Sequence, residues 1–248
     1  MKIRQNAAFL SHLVKDVERG IMVPAAFQRP YVWNKADVIA MCESILEGFP
    51  LGGFLSWIPA RQVQINKVAR TRLGPLTPAP DAEIERLLLD GQNRLATIAW
   101  MRHDESASAP ADLSPAEAAT WASDERLVLD LLEQRICFVP AHQADQGFRL
   151  PARCAFGGAD SNALIRARWD TLWRGLSEED KNKGLTWWDR KVRDSFADAR
   201  VVETVMENAT VAEAKRAFLH ICRVGVPMSE ADFEAATAWT LEEDSLHG

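Results

Sequence analysis

A run of three leucines followed at once by a cluster of polar residues constrains the fold of this chain more than any other stretch. Leu87–Leu89 is a short apolar run between charged residues, which predicts a buried strand. The apolar spacing from residue 95 to 101 predicts a helix. The chain therefore contains a strand-to-helix turn, formed by Asp90, Gly91, Gln92, Asn93 and Arg94.

This predicted turn has the features of an anion-binding site. The first N–H groups of a helix have no partner inside the helix and lie at the positive end of its dipole, which favours a bound phosphate. Gly91 permits close approach of the backbone or a positive φ, and Arg94 carries a forked donor suited to phosphate oxygens. Asp90 is able to hold a metal ion or to orient water. An ordinary helix cap, with Arg94 paired to Asp90, explains the same residues.

A second polar pair lies on extended backbone near the N-terminus. Pro24 and Pro30 each disfavour helical backbone in the preceding residue. Gln28 and Arg29 are therefore expected to project to opposite sides of an extended segment.

The other patterns predict helices mixed with strands. Helices are expected at about 6–19, at 35–47 after an Asn34 N-cap, and in a C-terminal half opened by capping boxes at 177–180 and 210–213. A strand at 54–58 is expected to form a hairpin with 62–66, and strands at 126–132 and 135–139 are expected to form another. Loops are expected at 67–81, 104–115 and 140–160.

Three blocks of this sequence resemble a known family. Residues 90–97, Asp-Gly-Gln-Asn-Arg-Leu-Ala-Thr, are similar to the Asp-Gly-Gln-Gln-Arg-Leu-Thr-Thr signature of GmrSD-type restriction proteins. Residues 23–33, with Gly-Phe-Pro-Leu-Gly at 48–52, are similar to that family's N-terminal block, Pro-x-x-Gln-Arg-x-x-x-Trp followed by Tyr-Pro-x-Gly. A weaker similarity lies at 218–229. The blocks occur in the family's order as far as about residue 230.

The resemblance implies an α+β fold related to ParB and sulfiredoxin, with a small mixed sheet and flanking helices. On this basis residues 1–140 are expected to form a ParB-like nucleotide-binding core. Residues 141–248 are expected to form a mainly helical portion, with one strand near 200–206, packed on that core.

The resemblance also implies a nucleotide pocket at the turn. Asp90, Gln92 and Arg94 are the expected catalytic residues. In this scheme Arg94 holds phosphate, Gln92 positions an attacking water, and Asp90 binds Mg²⁺ or polarises that water. The cofactor is expected to be an NTP whose base the sequence does not specify. The expected nucleotide-binding residues are Gln28, Arg29, Gly91, Asn93 and Thr97.

Four residues are candidates for contact with DNA. Tyr31 and Trp33 are able to stack on a base, and Trp33 is equally able to pack on the helix that it precedes. Arg70 and Arg72 belong to a basic cluster in a predicted loop, for which a solvated loop is the alternative. The formal charge of −6 argues against a broad basic DNA-wrapping surface but allows a local basic cleft.

The resulting functional expectation is an NTP-binding, NTP-hydrolysing and DNA-sensing component of a restriction system for modified or foreign DNA. No histidine-based nuclease motif occurs, so we expect a separate nuclease subunit as partner or a free-standing regulator. The alternative is a non-catalytic nucleotide- or DNA-binding regulatory module. It is favoured by Asn93 and Ala96, which replace a glutamine and a threonine of the signature, and by Cys222, which stands where the third block of the family has an asparagine.

Composition adds bounds on location and on metal binding. No apolar run approaches the ~20 residues that span a bilayer, and the N-terminus lacks the pattern of a signal peptide. We therefore expect a cytoplasmic protein without membrane contact. The cysteines are scattered and form no C-x-x-C pair, so neither a disulfide framework nor a zinc site is predicted.

Overall fold

A computed structural model describes residues 1–70, 72–73, 83–102, 113–224 and 230–239. The strands are β1 (Lys2–Phe9), β2 (Met22–Pro24), β3 (Gly53–Pro59), β4 (Arg86–Asp90), β5 (Glu125–Asp130), β6 (Arg135–Pro140), β7 (Arg149–Pro151) and β8 (Arg200–Ala209). The helices are α1 (Leu10–Glu18), α2 (Lys35–Glu47), α3 (Gln92–Arg102), α4 (Pro115–Trp121), α5 (Ala159–Trp169), α6 (Glu178–Trp187), α7 (Asp194–Asp198), α8 (Val211–Val224) and α9 (Glu230–Ala238). A π-helical turn, Trp188–Arg193, joins α6 to α7.

The main sheet is mixed and has five strands in the order β1-β8-β3-β4-β2. β8 is antiparallel to β1 and parallel to β3, whereas β4 is antiparallel to β3 and parallel to β2. A second, antiparallel sheet has the order β6-β5-β7. The expected α+β class, a mixed sheet with flanking helices, is confirmed.

Strand β4 is buried on both of its faces, which explains its uninterrupted leucines. Leu88 packs into a core that contains residues of α1, α2 and α3. Leu87 and Leu89 point to the opposite face and pack into a second core with Phe218 of α8. Because helices cover both faces of the sheet, the strand needs no polar side and shows no alternation.

The parallel pairing of β2 with β4 decides where the candidate site lies. Val23 pairs with Leu87 and Pro24 with Leu88, so the C-terminal ends of the two strands lie side by side at the same end of the sheet. The segment that follows β2 carries Gln28 and Arg29, and the segment that follows β4 is the polar turn. This topology therefore brings together two blocks that are far apart in sequence.

Three sequence-based predictions of secondary structure are wrong. The loop predicted at 140–160 contains strand β7 and two short 3₁₀ helices, because residues 149–151 pair with β5 in the second sheet. The helix predicted at 6–19 begins only at Leu10, because residues 2–9 form an edge strand paired with β8. The hairpin between β3 and residues 62–66 does not form, because β3 is already paired with β4 and β8 on its two edges. Residues 65–67 form a short 3₁₀ helix instead.

Other predicted elements are confirmed. Asn34 and Asp37 form the expected capping box of α2, and β5 and β6 form the expected hairpin. The strand expected near 200–206 is β8, which pairs with β1 and β3 inside the main sheet. The domain boundary at residue 140 stays a prediction. The loops expected at 67–81 and 104–115, and the end of the third similarity block, lie partly outside the described residues.

Across the ranges that the structure describes, no helix has the length and apolar character that crossing a membrane requires.

Candidate functional site at the turn between β4 and α3

Gly91 gives the turn its backbone shape. Its φ is +92°, a conformation that residues with a side chain rarely adopt. A Cβ atom at this position would overlap Cδ1 of Phe54, so the neighbouring ring also requires glycine. The first helical hydrogen bond of α3 runs from Leu95 N–H to Gly91 O at 2.9 Å. The N–H groups of residues 92–94 therefore precede the first helical bond, as an anion site at a helix N-terminus requires.

Three hydrogen bonds tie the extended Gln-Arg segment to β4 and the turn. Gln28 Nε2 donates to Leu88 O at 2.6 Å, and Gln92 Nε2 donates to Arg29 O at 2.9 Å. The backbone N–H of Val32 donates to Asn93 Oδ1 at 3.2 Å. The structure thus brings together the two polar blocks that were assigned to one pocket from sequence.

Two amide oxygens at this junction have no hydrogen-bond partner in the described structure. They are Oε1 of Gln28 and Oε1 of Gln92, and both atoms are buried. In each side chain the amide nitrogen donates to a backbone carbonyl, so the oxygen still has its full capacity as an acceptor. Buried acceptors normally have a partner, so these two atoms favour a bound water or ligand donor at the junction.

Arg94 holds the loop before β3 in place. Its Nη1 donates to Leu51 O, and its Nη2 donates to Gly53 O at 2.8 Å and to Asp90 Oδ2 at 3.2 Å. The guanidinium carbon lies 4.7 Å from the centre of the Phe54 ring. Burial lowers the pKa of Arg94, and the Asp90 carboxylate opposes that shift. The side chain is 19% exposed, so its donors are directed mainly at the protein itself.

Arg29 differs from Arg94 because its guanidinium is not engaged by the part of the chain that the structure describes. Its side chain is half-buried and forms no hydrogen bond, ion pair or ring contact with any residue that the structure describes. Its backbone carbonyl is bound to Gln92, the first residue of α3, so the arginine is attached next to the helix N-terminus. The neighbouring Gln28 is buried, which agrees with the expected projection of the two side chains to opposite sides.

Tyr31 and Thr97 lie inside the protein. Tyr31 is 2% exposed, its hydroxyl lies 3.0 Å from Thr97 Oγ1, and Thr97 is fully buried. Burial raises the pKa of Tyr31, although the hydrogen bond with Thr97 opposes this shift. Trp33 is half-buried and packs against the same core. Stacking of a base on Tyr31 would therefore require this segment to open.

Arg70 and Arg72 fold back onto the protein. Arg70 donates through Nη2 to Gln28 O, and its Nη1 lies 3.4 Å from Arg29 O. Burial lowers the pKa of Arg70, and Glu117 opposes that shift. Nη2 of Arg72 lies 3.4 Å from Oε2 of the buried Glu117. Arg70 therefore supports the segment that carries Gln28 and Arg29, and Arg72 contacts Glu117 of α4.

Helix α4 is a supporting element that sequence reasoning missed. Ser114 and Glu117 form its capping box, and Ser114 Oγ donates to Tyr31 O at 3.2 Å. Thr120 Oγ1 donates to Trp33 O at 3.1 Å. The signal was present in the sequence, because Ser-Pro-Ala-Glu at 114–117 matches the capping-box pattern with proline at the first helical position.

The turn offers one carboxylate to a metal ion. Among the residues that the structure describes, no group of three or more His, Cys, Asp or Glu side chains is arranged to hold a metal. Asp90 is 43% exposed and uses Oδ2 to contact Arg94. A Mg²⁺ ion here would take most of its ligands from phosphate and water, as is common for Mg²⁺ bound with nucleotides.

Comparison with known proteins assigns the chain to a family. A search of curated proteins finds no significant match. The family model described as the N-terminal domain of the GmrSD restriction endonuclease matches residues 10–232. The matched range runs from the start of α1 into α9 and includes the Gln-Arg segment and the turn after β4. Because the match covers most of the chain, this protein belongs to the family of GmrSD restriction endonuclease N-terminal domains, which are ParB-like domains of type IV restriction systems.

Proposed function

We propose that this domain binds an NTP at the turn between β4 and α3 and uses it in sensing modified or foreign DNA. The observation that carries the proposal is the placement of Arg29. Its carbonyl is bound to the first side chain of α3, whereas its guanidinium has no partner among the described residues. A forked cation on a residue whose backbone is bound to the first side chain of a helix is suited to phosphate at that helix N-terminus.

In this proposal the phosphates lie against the N–H groups of residues 92–94. These groups contribute hydrogen bonds and the positive end of the α3 dipole, and Arg29 contributes the full positive charge. Arg94 acts indirectly, because it donates hydrogen bonds to the carbonyls of Leu51 and Gly53 and so holds that loop beside the turn. The role expected of Arg94 from sequence, direct contact with phosphate, thus passes mainly to Arg29.

Hydrolysis would use Gln92 and Asp90. Oε1 of Gln92 has no partner among the described residues and is able to accept a hydrogen bond from the attacking water, while its amide nitrogen fixes the side chain on Arg29 O. Asp90 keeps Oδ1 available for the same water or for a Mg²⁺ ion bound to the phosphates. Orientation and charge neutralisation are the main contributions that phosphoryl transfer requires from a protein.

A second candidate function is nucleotide binding without turnover. It is favoured by the geometry of Arg94, whose Nη atoms donate to the carbonyls of Leu51 and Gly53 and to Asp90. In this arrangement Arg94 contributes little charge to a transferred phosphoryl group. Such a domain would act as a nucleotide- or DNA-responsive regulatory module.

The binding test is a thermal-shift and equilibrium-binding series with the four common NTPs, with and without Mg²⁺. We expect one or more NTPs to raise the melting temperature, since a ligand at 100 times its Kd adds about 2.7 kcal/mol of stability. Arg29→Ala should remove the shift. Arg166→Ala, an exposed α5 arginine with no described side-chain partner, should keep it. Wild-type protein that no NTP stabilises, or an Arg29→Ala variant that responds fully, would contradict the proposal.

Phosphate release separates the two candidate functions. Asp90→Asn should abolish release while NTP binding persists, if hydrolysis occurs at this turn. Gln92→Leu should abolish release and also weaken NTP binding, because it removes the hydrogen bond to Arg29 O. NTP binding by the wild type with no phosphate release, alone or with DNA, would support the regulatory module instead.

A further inference from the structure

A shallow, open groove lined by basic residues lies on the helical part of the molecule, on the segment formed by α6 and the π-helical turn. Its volume is about 520 Å³. The residues that line it and carry the argument are Gln134, Asn182, Lys183, Trp187, Arg190 and Lys191. We call this site the α6 groove.

The α6 groove concentrates positive charge in a chain whose formal net charge is −6. Residues 181–193 contain five lysines and arginines and a single acidic residue, Asp189. Lys183 and Arg190 form no ion pair with any described residue. Lys191 lies 3.7 Å from Glu47, but both side chains are well exposed, and such pairs contribute little. The cations of the groove are therefore available to an external anion.

The groove is carried by a helical segment that the core holds in place. The opposite side of the segment presents Trp188 and Val192, both buried in the core next to the main sheet, and Phe196 of α7 is buried in the same core. Lys183, Trp187 and Lys191 recur every four residues along the groove side. They extend over about 12 Å of helix, which is long enough to contact two neighbouring phosphates of one DNA strand. Single π-helical turns of the kind found here are frequent at functional sites.

We infer that the α6 groove is a DNA-contacting surface that binds the phosphate backbone. The half-buried Trp187 forms an aromatic wall, and the amides of Asn182 and Gln134 add hydrogen-bonding groups to the three cations. Cations combined with an aromatic ring and amides are typical of nucleic-acid surfaces. The inference rests on the DNA-sensing part of the proposed function.

The contacts inside the molecule explain why another DNA surface is needed. Tyr31 is buried, and Arg70 and Arg72 donate to backbone carbonyls and to Glu117. Three of the four residues assigned to DNA from sequence are thus engaged internally. The α6 groove supplies the local basic cleft that a chain of negative net charge would need for DNA binding.

The groove is also connected to the nucleotide turn through one loop. Glu47, the last residue of α2, contacts Lys191, and the loop after it ends at Leu51 and Gly53, which Arg94 holds. This long contact between exposed side chains places the groove beside the loop that Arg94 holds.

The test is fluorescence anisotropy with labelled duplex and single-stranded oligonucleotides at several salt concentrations. The test variant is Lys183→Ala/Arg190→Ala/Lys191→Ala. The control is Arg61→Ala/Arg166→Ala/Arg174→Ala, which removes three exposed arginines that make no described side-chain contact and changes the net charge equally.

We expect the groove variant to bind DNA at least tenfold more weakly at low salt. We also expect the slope of log K against log salt to fall by about 2 to 3, because each lost phosphate contact removes roughly one released counterion. The control variant should keep the affinity and the slope of the wild type. Loss with either form of DNA supports the inference. Circular dichroism and melting temperature confirm that the compared variants are folded.

Equal DNA binding by the groove and control variants would overturn the inference, and so would a wild type that binds no DNA at low salt. The same would follow if an acidic peptide, and not DNA, bound in a manner that depends on the three cations. The NTP thermal shift of the groove variant separates the two proposals. Retained NTP response with lost DNA binding supports both, whereas lost DNA binding in a protein that no NTP stabilises supports the groove and contradicts the nucleotide site.

Discussion

The side-chain oxygen of Asn93 accepts a hydrogen bond from the backbone N–H of Val32 at 3.2 Å. This bond connects the first turn of α3 to the segment that carries Arg29. The family signature has glutamine at this position, whose carbonyl lies one methylene further from the helix. In this chain the shorter asparagine still connects the two blocks, so the substitution preserves the junction.

Asn93→Ala should loosen this junction. The loss of this exposed hydrogen bond is expected to lower the free energy of unfolding by about 0.5 kcal/mol and to weaken NTP binding, because Arg29 is then held less firmly. Urea unfolding and NTP titration measure the two effects. Asn162→Ala on α5, whose side chain is exposed and makes no described hydrogen bond, is the control. Equal behaviour of the two variants would argue against a role for the Asn93 contact.

Tyr31 should make stability depend on alkaline pH. Burial raises its pKa above the ordinary value of about 10, so the folded protein keeps the phenol proton where the unfolded chain releases it. The contribution of this group is complete below pH about 10 and is lost as the pH rises from there toward the folded pKa. Because Tyr31 is the only tyrosine, tyrosinate absorbance reports its titration directly.

The comparison for this prediction is Tyr31→Phe. The loss of stability of the wild type above pH 10, measured by urea unfolding, should exceed that of the variant by an amount that grows with pH. An ordinary tyrosinate titration in the folded protein would show that the ring is accessible, and would revive base stacking as its role.

Gly91→Ala should destabilise the protein more than a comparable change elsewhere. Its φ of +92° adds backbone strain, and the new Cβ would clash with Phe54. We expect a loss of about 2 to 4 kcal/mol in the free energy of unfolding. Gly48→Ala is a matched control, because Gly48 has φ +72° but a Cβ atom added there would meet no other atom within 4 Å. A loss of unfolding free energy no larger than that of Gly48→Ala would show that the Phe54 ring moves aside to accommodate the new Cβ atom.

Arg94→Lys should destabilise the protein even without nucleotide. A single ammonium cannot reproduce donation to Leu51 O, Gly53 O and Asp90 together, so about 1 to 3 kcal/mol should be lost in urea unfolding. Arg174→Lys, an exposed conservative change, should have no effect. If Arg94 served only a bound phosphate, the stability of the ligand-free variant would match the wild type.

Local signals made the turn predictable. The leucines of β4, the spacing of α3 and the capping residues of α2 act within a few positions of one another, so they are visible in the sequence. The meeting of the Gln-Arg segment with the turn was expected from the family resemblance, and the parallel pairing of β2 with β4 gives its physical reason.

Long-range pairing explains what could not be predicted. The strand β1 exists because β8 pairs with it, and nothing within residues 2–9 indicates that distant partner. The engagement of Arg94 depends on the carbonyls of Leu51 and Gly53, which any residue types could supply. Likewise, the local sequence does not show whether an aromatic residue on extended backbone, such as Tyr31, is buried or exposed.

The position of β8 between β1 and β3 has a consequence for biogenesis. Until the ribosome has released residues 200–209, β1 lacks its partner and one edge of β3 is open, although the whole polar junction has already been synthesised. Unpaired strand edges promote association between nascent chains. Expression of the first half alone should therefore yield aggregates, and the pocket should become competent only late in translation.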